Sequence, residues 1–516
     1  MKSLNQSNVV LYEKNPPIKD CLNLVMAYPA RESFALSSLG YMWLSKILDE
    51  HNDVNLLQVF TDSQILPNSE KVDAMAFSIS YEMDFMGVFA LLEKMGIDVY
   101  AENRKESLIF AGGPVITSNP QPFAKIFDFF LIGDGECLIK KVSEVLLALK
   151  NTNKDEKLKA LSCLEGVYVP KFPKPTKKVS ETLVNCVHTP VISEKSYFSN
   201  TFIIEVERGC YNRCGFCLAS YLNLPVRYVD YDEIIQKIEV GLKYTKNIAL
   251  LGAQVSAHPR FTDICEYVLQ KIKSGESINL NFSSLRVDAV NEQIINLLNL
   301  SGQKTFTIAI EAATERLRSI INKNLKEEQL VKAIDFAYKG GLKGVKIYCM
   351  IGLPAEQKED IEAFISLAKN LKSRYKGFEI TFSFSTFVPK PHTPFQWVAR
   401  EETLLLEKKE KFLSKEFAKL GVKSKFSSPK WDYYQTLISR GDESLGNYLY
   451  EVYKLGGKLG AYKSVAKVLN IDTDYYVTRE YLLEESLPWD DIIIENPGKE
   501  LLKNEFNKLM KRACLE

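Results

Sequence analysis

Thr201-Phe-Ile-Ile-Glu-Val-Glu-Arg-Gly-Cys210-Tyr-Asn-Arg-Cys214-Gly-Phe-Cys217 decides how this chain is read. The apolar run from Thr201 to Val206 predicts a buried strand. Three cysteines in CxxxCxxC spacing follow it directly, so they sit on the loop at that strand's C-terminal end. Gly209 and Gly215 permit a tight loop and close backbone approach. Three thiolates can hold three irons of a [4Fe–4S] cluster, whereas full cysteine ligation takes four. The fourth iron is then open to a ligand. The plainer alternative is a zinc site completed by a histidine. The chain has only four histidines, and none lies in a local Cys/His motif.

Downstream of this loop strand and helix patterns alternate. Strand candidates are NIALLG, INLNFSS, TFTIAIE, GVKIYCMIG and FEITFSFSTF, with amphipathic segments such as DEIIQKIEVGLKYT and KEDIEAFISLAKNLKS between them. Six strand–helix units over residues 201–398 predict an open, partial (β/α)6 barrel rather than the full eight-unit form, with reactive groups at the C-terminal strand ends. Upstream, residues 15–150 hold five strand candidates, beginning with LNLVMAYP, among helical runs. That pattern predicts a flavodoxin-like, doubly wound α/β domain. Residues 151–200, with the proline- and lysine-rich VPKFPKPTKK, predict a linker with short strands rather than a domain core, and residues 399–516 read as mainly helical.

Composition narrows the function classes. The 516 residues are 46% hydrophobic and 25% charged, with a net charge of +1, as expected for folded domains with no overall field favouring nucleic acid or an anionic membrane. No run approaches a membrane span. The opening MKSLNQSNVV lacks the apolar stretch of a signal peptide. A cytoplasmic protein with reduced thiols is the expectation.

The cysteine loop after the first barrel strand resembles that of the radical S-adenosylmethionine (SAM) superfamily. Further segments are similar to its branch with an N-terminal cobalamin-binding-type domain, a subgroup without a settled reaction. They include Leu39-Gly-Tyr-Met-Trp43, Ala111-Gly-Gly-Pro114, Ile132-Gly-Asp-Gly-Glu136, Ser284-Leu-Arg-Val-Asp288, Met350-Ile-Gly-Leu-Pro354, Phe387-Val-Pro-Lys-Pro-His-Thr-Pro-Phe-Gln-Trp397 and Leu487-Pro-Trp-Asp490. The resemblance implies that Cys210, Cys214 and Cys217 ligate a [4Fe–4S] cluster. It implies that SAM is cleaved to methionine and a 5′-deoxyadenosyl radical for C–H activation, with the electron drawn from a flavodoxin- or ferredoxin-type reductant. The cofactors carry that chemistry, and the protein positions and insulates them.

It also implies roles for other residues. Phe216 matches the aromatic position beside the adenine. The second strand ends Leu250-Leu-Gly252-Ala-Gln254 where the family has a Gly-Gly-Glu-like run for the methionine amino group, which leaves Gly252 and its backbone. Ser283 and Ser284 at strand three, and Glu311 at strand four, face the ribose. Arg316 or Arg318 pairs with the SAM carboxylate. Met350, with Ile351 and Gly352, matches an apolar adenine-contact strand. His392 is the remaining candidate for substrate contact or proton transfer. Each has a structural alternative: loop packing, turn caps, helix-face ion pairs, ordinary core, or a loop fixed by prolines.

Cobalamin stays open at this point. The region after the first N-terminal strand, Tyr28-Pro-Ala-Arg-Glu-Ser33, has no DxHxxG signature, and His51 lies on a polar helix end, so no histidine is placed under the cobalt. Gly112, Gly113 and the Gly133-Asp-Gly135 turn lie where a ligand of that domain would sit. If cobalamin binds, methyl transfer to an unreactive carbon leads; if not, other hydrogen-abstraction chemistry does. The alternative class is a non-catalytic iron–sulfur protein that binds RNA or another macromolecule.

Overall fold

The computed structural model describes residues 8–105, 107–183, 185–282 and 285–515. Its N-terminal sheet contains β1 (Leu22–Tyr28), β2 (Val54–Phe60), β3 (Ala74–Ser78), β4 (Leu108–Gly112), β5 (Phe129–Leu131) and β6 (Val167–Tyr168). Their order is β2-β1-β3-β4-β5-β6, parallel except for β6. The chain reverses direction between β1 and β3, the switch point where doubly wound sheets open a crevice at their carboxyl ends. Both faces are covered, which is why Leu24, Val25, Met75 and Ile109 are all buried.

The second sheet system contains β7 (Thr201–Glu205), β8 (Asn247–Leu251), β9 (Asn279–Phe282), β10 (Thr305–Glu311), β11 (Gly344–Ile351) and β12 (Glu379–Thr386). All pair in parallel and in chain order, with the isolated Leu285–Ile308 bridge joining the two halves. The intervening helices start where their sequence says they should. Asp230 caps helix Tyr231–Leu242 by accepting the Asp232 N–H, Asn291 caps Glu292–Leu300, and Thr314 caps Glu315–Ile320. Phe202, Ile204 and Val206 belong to the core shared with these helices, while Ile203, from the opposite face of β7, belongs to the core of the N-terminal domain. Strand β7 is therefore wedged between the two halves of the molecule.

Two features differ from the sequence expectation. A seventh short parallel strand, β13 (Lys423–Phe426), adds to β12 beyond residue 398, so the barrel sheet continues into the stretch read as helical. Its alternating KSKF pattern is too short to register as a periodic run. The stretch 151–200 does have the expected short strands, but it also carries core residues. Helix Lys154–Leu161 buries Leu158 and Leu161, and Val167 and Val169 join the same cluster. Its strands fasten the ends of the chain: Val191–Ser193 pairs with Asn8–Val10, and Thr176–Lys177 pairs with Ile492–Ile493. The remaining C-terminal region is helical as expected. Leu437, Tyr448 and Tyr462 pack onto the N-terminal domain, and helix Lys499–Leu515 packs onto the cysteine loop.

Candidate functional site

The cysteine loop runs from the two-residue strand Glu207–Arg208 to helix Leu218–Leu222. Gly209 has φ +102°, and a Cβ there would stand 2.5 Å from the Asn223 carbonyl oxygen, so only glycine fits. Arg213 adopts the left-handed region at φ +47°. Neighbouring elements hold the loop by its backbone. Asn322 donates from Nδ2 to the carbonyls of Asn212 and Arg213, each at 3.0 Å. The Gly215 N–H donates to Ile321 at 3.0 Å, and the Gly215 carbonyl accepts from Phe395 N at 3.1 Å. Tyr221 donates to the Arg213 carbonyl at 2.9 Å and to Glu505 at 2.8 Å, which ties the C-terminal helix to the loop.

All three thiols are free of disulfides. Burial pushes the Cys214 thiol up to about 12, opposed by Lys323 and reinforced by the charges of Cys217, Glu311 and Cys210. Burial also raises Cys210. Burial that raises Cys210 and Cys214 disfavours their thiolates, and a metal cluster is a positive group that would hold them in that form. Among the described residues no three His, Cys, Asp or Glu side chains converge on a point that would hold a single metal ion. His258, one ring beyond Tyr228 from Tyr211, is committed on both nitrogens. Nε2 meets the Val229 carbonyl at 2.9 Å, and Nδ1 accepts from Arg260 N at 3.1 Å. Three free thiols on one loop are the donor set that a cluster taking one thiolate per corner requires.

Around the loop the barrel mouth gathers several of the expected residues. Phe216 and Met350 pack against one apolar cluster with Ala312, Leu353, Phe387 and Phe395. That patch is a suitable surface for an adenine ring. Glu311 sits at a break in the β10–β11 register with φ +62°, and its Oε1 accepts from Lys323 at 3.1 Å. Left-handed backbone at a non-glycine residue costs about 1–3 kcal/mol and persists where its surroundings over-determine it. Gly252 directly follows β8, and an added Cβ would lie 2.4 Å from Cγ of Glu207. Arg316 is ion-paired with buried Asp360 and donates to the Ala355 carbonyl at 3.0 Å, leaving Nη1 buried with no hydrogen-bond partner among the described residues. Ser283 and Ser284 lie outside the described residues.

Two expected roles change. Arg318 is not free to meet a SAM carboxylate: it is 1% exposed, donates to the carbonyls of Leu325, Ala312 and Ala313 at 2.7–3.0 Å, and lies 4.0 Å from Glu315 one turn back on its helix. His392 is buried at φ +57°, with Nε2 3.1 Å from the Ser118 carbonyl of the N-terminal domain and its N–H on Gln396. Burial lowers its pKa to about 4. A neutral imidazole tied to another domain fixes a loop, the structural alternative for this residue.

At the carboxyl end of the N-terminal sheet lies a cavity of about 550 Å³. Gly112, Gly113, Gly133 and Gly135 line it over an apolar floor that includes Phe110 and Leu131. Gly113 and Gly133 have φ near +112° and +117°, and a Cβ at either would strike the Ile79 or Val179 carbonyl. Among the described residues no histidine lines it. Its far wall is Leu218, Ala219, Leu222 and Asn223, from the helix that follows Cys217 and its end. The rim between cavity and cysteine loop is an ion network. Arg208 contacts Glu205 at 2.7 Å, Glu136 at 2.9 Å and Asp134 at 3.2 Å, and Arg227 contacts Asp134 at 2.6 Å. Burial alone would raise Asp134, but Arg208 and Arg227 hold it below the usual carboxylate range.

Several site residues escape a reading of the sequence. Asn212 is one: it donates to Cys210 Sγ at 3.4 Å, while Gln254, which the sequence offered as a side-chain candidate, has Oε1 3.1 Å from the same sulfur. Asn322 and Glu505 brace the loop from more than 100 residues away in sequence, a relation that no local pattern carries. Glu207 is the exception: an acidic residue next to Arg-Gly-Cys at the end of an apolar strand is an anomaly visible in the sequence. It is 1% exposed, and burial raises its carboxyl to about 7, partly offset by the Gln254 N–H.

Comparison with known proteins places this architecture. Residues 204–368 match the family model for the radical SAM superfamily, and residues 48–170 match that for radical SAM proteins, N-terminal. An uncharacterized protein of Methanocaldococcus jannaschii is 30% identical over 438 residues, covering 84% of this chain and 91% of that one. An uncharacterized methyltransferase of Pyrococcus horikoshii is 26% identical over 389 residues, covering 71% and 79%. Among solved structures, the radical SAM methyltransferase TsrM from Kitasatospora setae, with cobalamin and a [4Fe–4S] cluster bound, superposes with a TM-score of 0.52 at 10% identity, covering 87% of this chain and 99% of that one. The chain is a radical SAM enzyme, with the N-terminal domain that the matching family model describes.

Proposed function

We propose that this enzyme is a cobalamin-dependent radical SAM methyltransferase. The observation that carries the reading is the shared wall: the glycine-lined cavity of the N-terminal domain is closed by the helix that begins at the third cysteine. A ligand of the cavity and a ligand of the cluster loop would therefore face each other across a few side chains. The methyltransferase relative and the cobalamin-bound structural neighbour support the same reading.

Cys210, Cys214 and Cys217 would hold the cluster, and the cavity would hold cobalamin without a protein imidazole. When bound, these groups supply the electron for SAM cleavage and a transferable methyl group. The protein's own part is positioning. Phe216 and Met350 form the apolar surface for adenine, and Glu311 is held in place by Lys323. Arg208 locks the cavity rim to the strand that feeds the cysteine loop. The C-terminal helix covers the Gly215–Phe216 side of the loop through Phe506, Leu509 and Met510. The chemistry requires a low-potential reductant of flavodoxin or ferredoxin type.

The test is anaerobic. Protein reconstituted with iron and sulfide is incubated with hydroxocobalamin, desalted, then given SAM, with its methyl group deuterated, and dithionite or reduced flavodoxin. Retained cobalamin with a spectrum lacking an imidazole ligand, and deuterated methyl incorporation into an acceptor from a cell extract, are expected. Deoxyadenosine formation without cobalamin retention would overturn the methyltransferase reading and leave other hydrogen-abstraction chemistry. Iron uptake with neither deoxyadenosine nor cobalamin would leave the non-catalytic alternative.

A further inference from the structure

Among the described residues two cations line the N-terminal cavity, Arg208 and Lys178, and only the first is committed. Arg208 is shared among Glu205, Glu136 and Asp134. Lys178 has no ion-pair partner among the described residues, and its ammonium, with three N–H donors, meets only Ser180 Oγ. Asp134 attracts it from a distance, but that carboxylate is already held by Arg208, Arg227 and the Glu181 N–H. Burial lowers the Lys178 pKa, with Asp134 opposing and Arg227 and Arg208 reinforcing. A partly buried cation is costly until an anion comes to it.

The fold carries this lysine to the cavity from the stretch that reads as a linker. The Lys178 N–H donates to the Ile493 carbonyl at 2.9 Å. On its other side the Val179 N–H donates to the Ile132 carbonyl, and the Val179 carbonyl accepts from the Asp134 N–H, each at 3.0 Å. Gly133 makes this approach possible, since a Cβ there would lie 2.0 Å from the Val179 oxygen. The backbone at Lys178 is thus fixed between the C-terminal strand and the glycine turn at the cavity edge.

From this geometry we infer that Lys178 is the receptor for the phosphodiester in the nucleotide tail of cobalamin, and so selects a corrinoid with a complete tail; the inference rests on the cobalamin reading of the cavity. The side chains at the corrin periphery end in neutral amides. The phosphodiester between ring and base is the one anionic group outside the metal-bound macrocycle. An ammonium with free donors suits it as a point charge. Arg208, spent on the rim acids, is not available for that task.

The test measures corrinoid binding rather than turnover. Wild type and Lys178→Gln, both reconstituted with iron and sulfide, are brought to anaerobic dialysis equilibrium with hydroxocobalamin or with cobinamide, which keeps the corrin ring and lacks the phosphodiester and the base. Lys178→Gln can still donate to Ser180 but carries no charge. Its iron content is expected to match wild type, its cobalamin affinity to fall roughly tenfold, and its cobinamide affinity to be unchanged. Lys178→Arg, which keeps the charge, should retain most of the cobalamin affinity. An equal loss for both corrinoids overturns the inference, because the residue would then act on the ring or on the fold. No loss for either overturns it too. If Lys178→Gln does not fold, the wild type decides alone: a preference for cobalamin over cobinamide that shrinks with added salt supports the inference, and cobinamide bound as tightly as cobalamin, or a preference that salt leaves unchanged, overturns it. Wild-type protein that takes up iron and binds neither corrinoid overturns the cobalamin reading, and this inference with it.

Discussion

The cysteine loop and the cavity of the N-terminal sheet lie on opposite sides of helix Leu218–Leu222, yet they are built in opposite ways. The loop is made by side chains that are present: three thiols, and the amides of Asn212, Gln254 and Asn322. The cavity is made by side chains that are missing: glycines at 112, 113, 133 and 135 around an apolar floor. A site made of functional groups tolerates shape changes but no loss of a group. A site made of space tolerates changes of group but no added volume. Substitutions should therefore separate the two sites cleanly, and each failure to separate them is informative.

The largest effect belongs to the thiols. Cys214→Ala removes one of the three proposed cluster ligands, the most buried of the three cysteines. Iron uptake and deoxyadenosine formation are expected to be abolished, measured by iron analysis and chromatography. Cobalamin retention in the N-terminal cavity should survive. If cobalamin is lost as well, the two sites fold as one unit.

Next comes added volume. At Gly112, where the nearest neighbour of an added Cβ would be Leu131 Cβ at an ordinary 3.4 Å, the backbone accepts a side chain, and Gly112→Leu adds volume at the cavity wall. Cobalamin affinity is expected to fall at least tenfold while iron content stays at the wild-type level. Unchanged cobalamin binding would remove this cavity as the cofactor site.

Arg208 tests the seam between the two. It is the side chain that touches Glu205 beside the loop and both Asp134 and Glu136 at the cavity rim. Removing one partner of a buried charge network costs about 3–5 kcal/mol, because the others are left uncompensated. Arg208→Gln is expected to lower thermal stability by several degrees in a melting experiment. It should also weaken both iron retention and cobalamin retention, by less than the first two variants weaken either. Loss of only one would place Arg208 on one side of the seam.

The same contrast explains what could be read without a structure. The CxxxCxxC spacing after an apolar strand exposes the loop, since functional groups leave letters. The parallel architecture is legible for a similar reason: fully buried strands and amphipathic helices alternate with distinct periods. The cavity left only Gly112-Gly113 and Gly133-Asp-Gly135, and glycine turns occur in any α/β protein. What closes it, Leu218 to Asn223, is named by the tertiary fold alone. Arg318 and His392 were misleading in the same direction. A charged or titratable residue near a strand end suggests a ligand, but both are buried and bonded to backbone carbonyls, which hydropathy cannot distinguish from exposure at a mouth. β13 was invisible because four alternating residues gain their strand state only from pairing with β12.

His392 gives the smallest effect, and it tests the domain tie on which both sites depend. Its folded pKa lies near 4, below the ordinary value of 6.5, first because burial disfavours the imidazolium, with the Ser118 carbonyl acting in the opposite sense. The unfolded chain therefore binds a proton that the folded chain does not between those two values. The stabilising contribution is complete above pH 6.5 and is lost as pH falls toward 4. By pH 5.5 the loss should be about 1.4 kcal/mol, one pKa unit's worth. Gln in place of His392 can still donate to Ser118 but cannot titrate. The difference in urea midpoint between pH 7.5 and 5.5 is expected to shrink in His392→Gln by that amount, with the slope unchanged. An undiminished pH dependence would mean that His392 does not keep its neutral, buried place at the barrel mouth, and would return it to consideration as a group that faces substrate.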